Sequence, residues 1–88
     1  MSKQTSKVVM YSKVPCPFCV KAKRLLTNKG VTFEEIDLTD QPDEIQKMKD
    51  KYGWRTVPII LINDKLVGGY NDLKALDNSG ELDRLLAS

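Results

Sequence analysis

Apolar residues along this chain fall into short groups whose spacing changes from one group to the next. Val8-Val9-Met10-Tyr11 is a compact apolar run between polar stretches and predicts a short buried strand. After Pro17 the spacing becomes helical. Ala22, Leu25 and Leu26 share one face of a helix running to Asn28 or Lys29, and Gly30 suits the position just past its end. Residues 31–38, rich in β-branched and aromatic side chains, predict a second strand. Thr39-Asp40-Gln41-Pro42 ends it and opens a helix with Asp40 as N-cap and Asp43 and Glu44 in the first turn. Ile45, Met48 and Tyr52 line one face of that helix, and Gly53 stops it. Pro58 leads into Ile59-Ile60-Leu61-Ile62, apolar on both faces, which pairs as a hairpin with Leu66-Val67 across a turn at Asn63-Asp64-Lys65. Gly68-Gly69 breaks the second strand. Leu73, Leu76, Leu82, Leu85 and Leu86 then mark one or two closing helices around Ser79-Gly80.

The order β-α-β-α-β-β-α implies one parallel strand pair and one antiparallel hairpin. The expected architecture is therefore α/β, a four-stranded mixed sheet flanked by helices. No linker, repeat or low-complexity stretch divides the 88 residues, so a single domain over residues 1–88 is expected, with residues 1–6 as a flexible N-terminal tail. Lys and Arg number 14 against 12 Asp and Glu, net +2, and the cations are dispersed, which argues against a nucleic-acid partner. The first residues are polar and hold no signal peptide, and no apolar run is long enough to span a bilayer. The expectation is a cytoplasmic protein with no membrane partner. In that reducing compartment a cysteine pair serves catalysis or metal binding more often than stapling.

The two cysteines are the chemical centre. Cys16-Pro17-Phe18-Cys19 lies between the first strand and the first helix, the arrangement of a redox motif. This context puts Cys16 at a helix N-terminus, where unpaired N–H groups and the dipole favour a thiolate. Pro17 fits the first helical position, since its missing N–H has no partner there. A disulfide across two residues closes too small a loop to constrain the unfolded chain much, so a structural staple is a poor use of the pair. With 0 His and 2 Cys, one copy of the chain cannot build a closed zinc site from cysteine and histidine, and no metal ligand is assigned.

Three motifs in order, Cys16-Pro17-Phe18-Cys19, Thr56-Val57-Pro58 and Gly68-Gly69-Tyr70-Asn71-Asp72, make the chain resemble a dithiol glutaredoxin from residue 8 to about residue 86. The resemblance implies the thioredoxin fold. It also implies an enzyme that reduces protein disulfides and glutathione mixed disulfides, with glutathione as reducing co-substrate and no tightly bound cofactor. Cys16 would be the nucleophile, helped by Lys13, and Cys19 the resolving thiol. Phe18 stands where the family commonly has Tyr, and Tyr70 where many members have a further Cys. The Val57–Pro58 bond would be cis, and with Thr56 and Phe18 would hold the middle of glutathione. Arg55 would take the glycine carboxylate, with Gln46 and Lys49 as second candidates. Gly69, Asn71 and Asp72 would take the γ-glutamyl end. Trp54 has no assigned role.

A lowered thiol pKa does not by itself speed attack. With a Brønsted slope of about 0.45, the gain in thiolate fraction is nearly offset by lost nucleophilicity. The benefit lies in the reverse role, where a stable Cys16 thiolate is the better leaving group. The implied partners are glutathione and disulfide-bearing or glutathionylated proteins, ribonucleotide reductase among them, met by a monomer. Two other readings stand beside this one. The first is a dimer sharing an iron–sulfur cluster, and the second a thioredoxin-like protein reduced by a flavoprotein reductase, against which residues 68–72 argue.

Overall fold

The computed structural model describes residues 4–87. Its elements are β1 (Val8–Ser12), α1 (Pro17–Asn28), β2 (Glu34–Asp37), α2 (Pro42–Tyr52), β3 (Ile59–Ile62), β4 (Lys65–Gly68), α3 (Tyr70–Ser79) and α4 (Glu81–Leu86). The strands form one sheet in the order β2-β1-β3-β4. β1 runs parallel to β2 and antiparallel to β3, and β3 pairs antiparallel with β4. This is the mixed four-stranded sheet that the sequence predicts. The hairpin closes through Asn63 and Asp64, both at positive φ, as a two-residue turn of this hand requires.

Strand alternation divides the core in two. Val8 and Met10 of β1 and Ile60 and Ile62 of β3 pack with Ala22, Leu26, Leu73, Leu82 and Leu86 from α1, α3 and α4. Val9, Ile59 and Leu61 point to the other face, beneath Met48, Tyr52 and Trp54. β3 is buried at all its positions, which accounts for its unbroken apolar run. Among the described residues no helix is long and apolar enough to cross a membrane.

The second strand is shorter than residues 31–38. Val31 donates its N–H to the Leu26 carbonyl (2.9 Å) and Gly30 to that of Thr27 (3.0 Å), with Gly30 at φ +70. That is a Schellman closure of α1, and it turns Val31 inward onto Leu26. The N–H of Thr32 is taken by the side-chain oxygen of Gln4 (2.8 Å), and the Gln4 amide donates back to the Thr32 carbonyl (2.6 Å). Ladder pairing begins only at Glu34.

Two further expectations need correction. Pro42 occupies the first position of α2, so the N-cap is Gln41, which makes no side-chain cap bond, rather than Asp40. Of the flexible tail expected over residues 1–6, residues 1–3 lie outside the described residues, and the rest is fastened. Thr5 and Ser6 donate their N–H groups to the Leu86 carbonyl (2.9 and 3.1 Å), and the buried Ser6 hydroxyl donates to that of Leu85. These are end carbonyls of α4 that have no partner within the helix.

Lys29, just past α1, ties three helices together, with Nζ 2.7 Å from Asp77 of α3 and 3.1 Å from Asp83 of α4. The hydrogen bond to Asp77, then that to Asp83, raises its pKa above the ordinary 10.5. The pair's stabilisation is therefore complete at neutral pH and is lost only as pH climbs above that value. Lys29→Met should cost about 1 kcal/mol in urea unfolding at pH 7. Identical midpoints for variant and wild type at low salt would show the bridge to be idle.

Candidate active site

Cys16 is the N-cap of α1. Its backbone is extended (φ −153, ψ 98), Pro17 follows as the first helical residue, and Sγ accepts the Cys19 N–H at 3.1 Å. An acceptor here meets N–H groups that the helix leaves unpaired, so the same geometry stabilises a thiolate on reduction. The two sulfurs are joined as a disulfide with Cα atoms 5.2 Å apart. Cys16 is half-buried, whereas Cys19, one turn into the helix, is 5% exposed. The more accessible sulfur is thus the one at the helix terminus, as the sequence predicts.

The loop ahead of Cys16 is pinned from β2. The Val14 N–H donates to the Thr39 hydroxyl oxygen (3.0 Å), and that hydroxyl donates to the Asp37 carboxylate, which also accepts the Thr39 N–H (2.9 Å). The hydroxyl first, and the N–H second, hold Asp37 below its ordinary carboxylate range. Val14–Pro15 is a cis peptide that the sequence reading does not anticipate.

Val57–Pro58 is cis, as the resemblance implies, and the Val57 carbonyl oxygen lies 3.7 Å from Cys16 Sγ. A cleft of about 310 Å³ opens beside this contact. It brings together Phe18, Thr56, Val57, Pro58, Gly69, Asn71 and Asp72 of the sequence candidates, and adds Trp54 and Tyr70. The Phe18 and Tyr70 rings are 6.3 Å apart, with Lys21 Nζ over both, 5.3 and 5.9 Å from their centroids. At the far end α3 begins at Tyr70 with Gly69 as N-cap, so Asn71 and Asp72 lie inside its first turn. The Asp72 carboxylate accepts the Gly69 N–H (3.1 Å).

The remaining candidates lie apart. Arg55, Gln46 and Lys49 line a separate groove with Trp54. Lys13 shares with Cys16 and Cys19 a cavity that extends toward Lys23 and Glu35 rather than into the Phe18–Asp72 cleft. Trp54 lines both the cleft and the Arg55 groove and is the wall between them. Its main-chain N–H donates to the Lys49 carbonyl (2.9 Å) in the last turn of α2, and its side chain packs against Ile59 and Leu61. The indole Nε1 is buried without a partner among the described residues.

At Gly68 the protein's own side chains leave no room for a Cβ in their present positions. The residue sits at φ +124, and a Cβ there would come within 2.7 Å of Asp72 Oδ2 and 3.0 Å of Trp54 Cη2. The paired glycines are legible in the sequence. What they make room for, a carboxylate and an indole from elsewhere in the chain, is not.

Comparison with known proteins agrees with this geometry. A family model described as Glutaredoxin matches residues 8–67. A glutaredoxin from Pseudomonas aeruginosa is 44% identical over 81 residues, 92% of this chain and 96% of that protein. The crystal structure of wheat glutaredoxin aligns with a TM-score of 0.85 at 40% identity, covering 94% of this chain and 81% of that one. The crystal structure of a buckwheat glutaredoxin–glutathione complex aligns at 0.83 and 31% identity, covering 94% and 78%. The architecture is the thioredoxin fold of these glutaredoxins. The chain therefore belongs to the glutaredoxin family of glutathione-dependent disulfide oxidoreductases, and Cys16 and Cys19 are its redox-active pair.

Proposed function

We propose that this protein reduces protein disulfides and glutathione mixed disulfides in the cytoplasm, with glutathione as the electron donor. The observation that carries the reading is the cleft between Val57, whose carbonyl oxygen lies 3.7 Å from the Cys16 sulfur, and the N-terminus of α3. A buckwheat relative of the same fold was solved as a complex with glutathione.

Cys16 thiolate attacks the glutathione sulfur of a mixed disulfide. The new bond joins Cys16 to glutathione, and the substrate sulfur leaves as thiolate. A second glutathione thiolate attacks the bound glutathione sulfur, forming glutathione disulfide and releasing Cys16 thiolate. The Cys19 N–H at Cys16 Sγ favours that departure. With a protein disulfide, Cys16 thiolate first bonds to one protein sulfur and the other leaves as thiolate. Cys19 thiolate then attacks the Cys16 sulfur and frees the remaining protein thiol. Two glutathiones reduce the Cys16–Cys19 disulfide so formed, leaving as glutathione disulfide. In the cleft, strand-like pairing to Val57 holds the cysteine of the tripeptide. The first N–H groups of α3 take the γ-glutamyl carboxylate and Asp72 its ammonium. Arg55, beyond Trp54, takes the glycine carboxylate, with Gln46 and Lys49 beside it.

The test is turnover of a small glutathione mixed disulfide coupled to glutathione reductase. Because Asp72 also accepts the Gly69 N–H, Asp72→Asn is the informative variant: it keeps an acceptor and removes the charge. Asp72→Asn and Arg55→Ala should each weaken glutathione use by about two- to tenfold, since these contacts are partly solvated. The loss should shrink at high salt. A double variant matching wild type at low salt would remove the ionic grips from the reading. Turnover sustained by a flavoprotein thioredoxin reductase and not by glutathione would favour the thioredoxin-like alternative.

A further inference from the structure

Beside the cleft at Val57, which the proposed chemistry uses, a second cavity is lined by Cys16 itself. The second, of about 440 Å³, lies toward β2 and touches both cysteines. Its apolar lining comes from Val14, Pro15, Pro17 and Val20. The exposed large hydrophobic residues among those described are Val14 (66%), Val20 (55%) and Phe18 (48%), so all three flank the cysteine pair. Two of the three belong to this cavity. Its polar side is internally neutralised, with Lys23 Nζ 2.9 Å from Glu35 and the Ser12 hydroxyl donating to the same carboxylate at 2.9 Å. Lys13 has no such counter-charge among the described residues. Helix α1 carries no acid, and its Lys21 and Arg24 line a different groove, with Tyr70 and Asp77.

We infer that this cavity docks the polypeptide of a protein substrate, taking an apolar side chain next to the reacting cysteine with an acidic residue following it. The inference rests on the proposed reduction of protein disulfides and names the class of sequence preferred. Glutathione, in the pose proposed above, runs from the start of α3 past Val57 to Arg55 and meets this cavity only at the Cys16 sulfur. A protein joined to Cys16 is larger than glutathione, and the apolar lining next to both cysteines is surface beside that sulfur which glutathione leaves unused. Exposed valines beside a working nucleophile gain by being covered during the encounter. The uncompensated positive charge draws acidic segments in and disfavours basic ones. The covalent step is unchanged: Cys16 thiolate bonds to one substrate sulfur, the substrate disulfide breaks, and the other sulfur leaves as thiolate and takes a proton from water.

The test uses reduced full-length protein in single turnover against peptide disulfides, with no glutathione present, so its result does not depend on the identity of the reductant. Peptides carrying Cys-Leu-Glu and Cys-Ser-Lys around the disulfide are compared for wild type, Val20→Asp and Val20→Leu. Val20 is exposed, which keeps the fold out of the question. Wild type should react about fivefold or more faster with the Leu-Glu peptide, on the scale of burying one aliphatic side chain and one screened charge contact. Val20→Asp should erase that preference, Val20→Leu should keep it, and both should turn over a small glutathione mixed disulfide within about twofold of wild type. Equal rates for both peptides in wild type, or a Val20→Asp loss shared by every substrate, would overturn the inference. Failure of the small mixed disulfide in wild type would instead count against the glutathione reading.

Discussion

Cys16→Ser is expected to eliminate glutathione-dependent turnover, and Cys19→Ser to keep a substantial share of it on small mixed disulfides. The asymmetry follows from position. Cys16 alone accepts an N–H at the helix terminus, lies 3.7 Å from the Val57 carbonyl oxygen and is only half-buried. Cys19 is 5% exposed and meets an incoming disulfide only through Cys16. A serine at position 16 leaves no nucleophile able to form a mixed disulfide, and rates should fall to background, more than about a thousandfold. A serine at position 19 removes only the internal resolving step, which a second glutathione replaces. On protein disulfides the Cys19→Ser loss should be larger, because there the internal attack releases the product. Steady-state rates for both variants on both substrate types provide the check. Equal and complete loss in the two variants would defeat the assignment of roles.

Gly68→Ala is expected to damage stability and glutathione use together, and Gly69→Ala to leave stability nearly untouched. At φ +124 a side chain is strained, at about 1–3 kcal/mol. The added methyl would also meet Asp72 Oδ2 at 2.7 Å and Cγ at 2.9 Å, with Trp54 at 3.0 Å. Asp72 must then leave the Gly69 N–H, and Trp54 must shift from its place between the cleft and the Arg55 groove. A total near 2–3 kcal/mol lowers Tm by roughly 10–20 °C in a domain of this size. Glutathione use should fall at least as far as in Asp72→Asn. At Gly69 the nearest contact of a Cβ is Trp54 Nε1 at 3.7 Å, an ordinary van der Waals distance, and φ is −101. Its replacement should stay within about 0.5 kcal/mol. Thermal unfolding of the two variants side by side decides the matter, and equal Tm values would refute the account of Gly68.

The elements that the sequence announces most clearly are those whose apolar spacing has one physical use. β3 is apolar at every position because both faces are covered, and Ala22 and Leu26 recur at helical spacing because one side of α1 is. Val31 and Thr32 mislead because a β-branched residue serves equally in a strand or in the closure of a helix, and here a Schellman bond and the Gln4 side chain claim them. Asp40 misleads because Pro42 fixes the helix start one residue later. The cysteine pair and the Val57–Pro58 element are local in sequence, so chemistry and resemblance locate them. The wall formed by Trp54 depends on how α2, β3 and the Gly68 turn meet, and no single segment encodes that meeting.

The sheet order also has a mechanical consequence for Cys16. On one side stands β3, interior to the sheet and buried at every position, carrying Pro58 and the Val57 carbonyl into the cleft. On the other stands β2, a short edge strand in which only Ile36 is partly covered. Local opening is cheap where few apolar contacts hold a strand and costly where many do. Cys16 therefore stands between a strand clasped on both faces and one clasped on few, and amide exchange should begin at β2 well before it reaches β3.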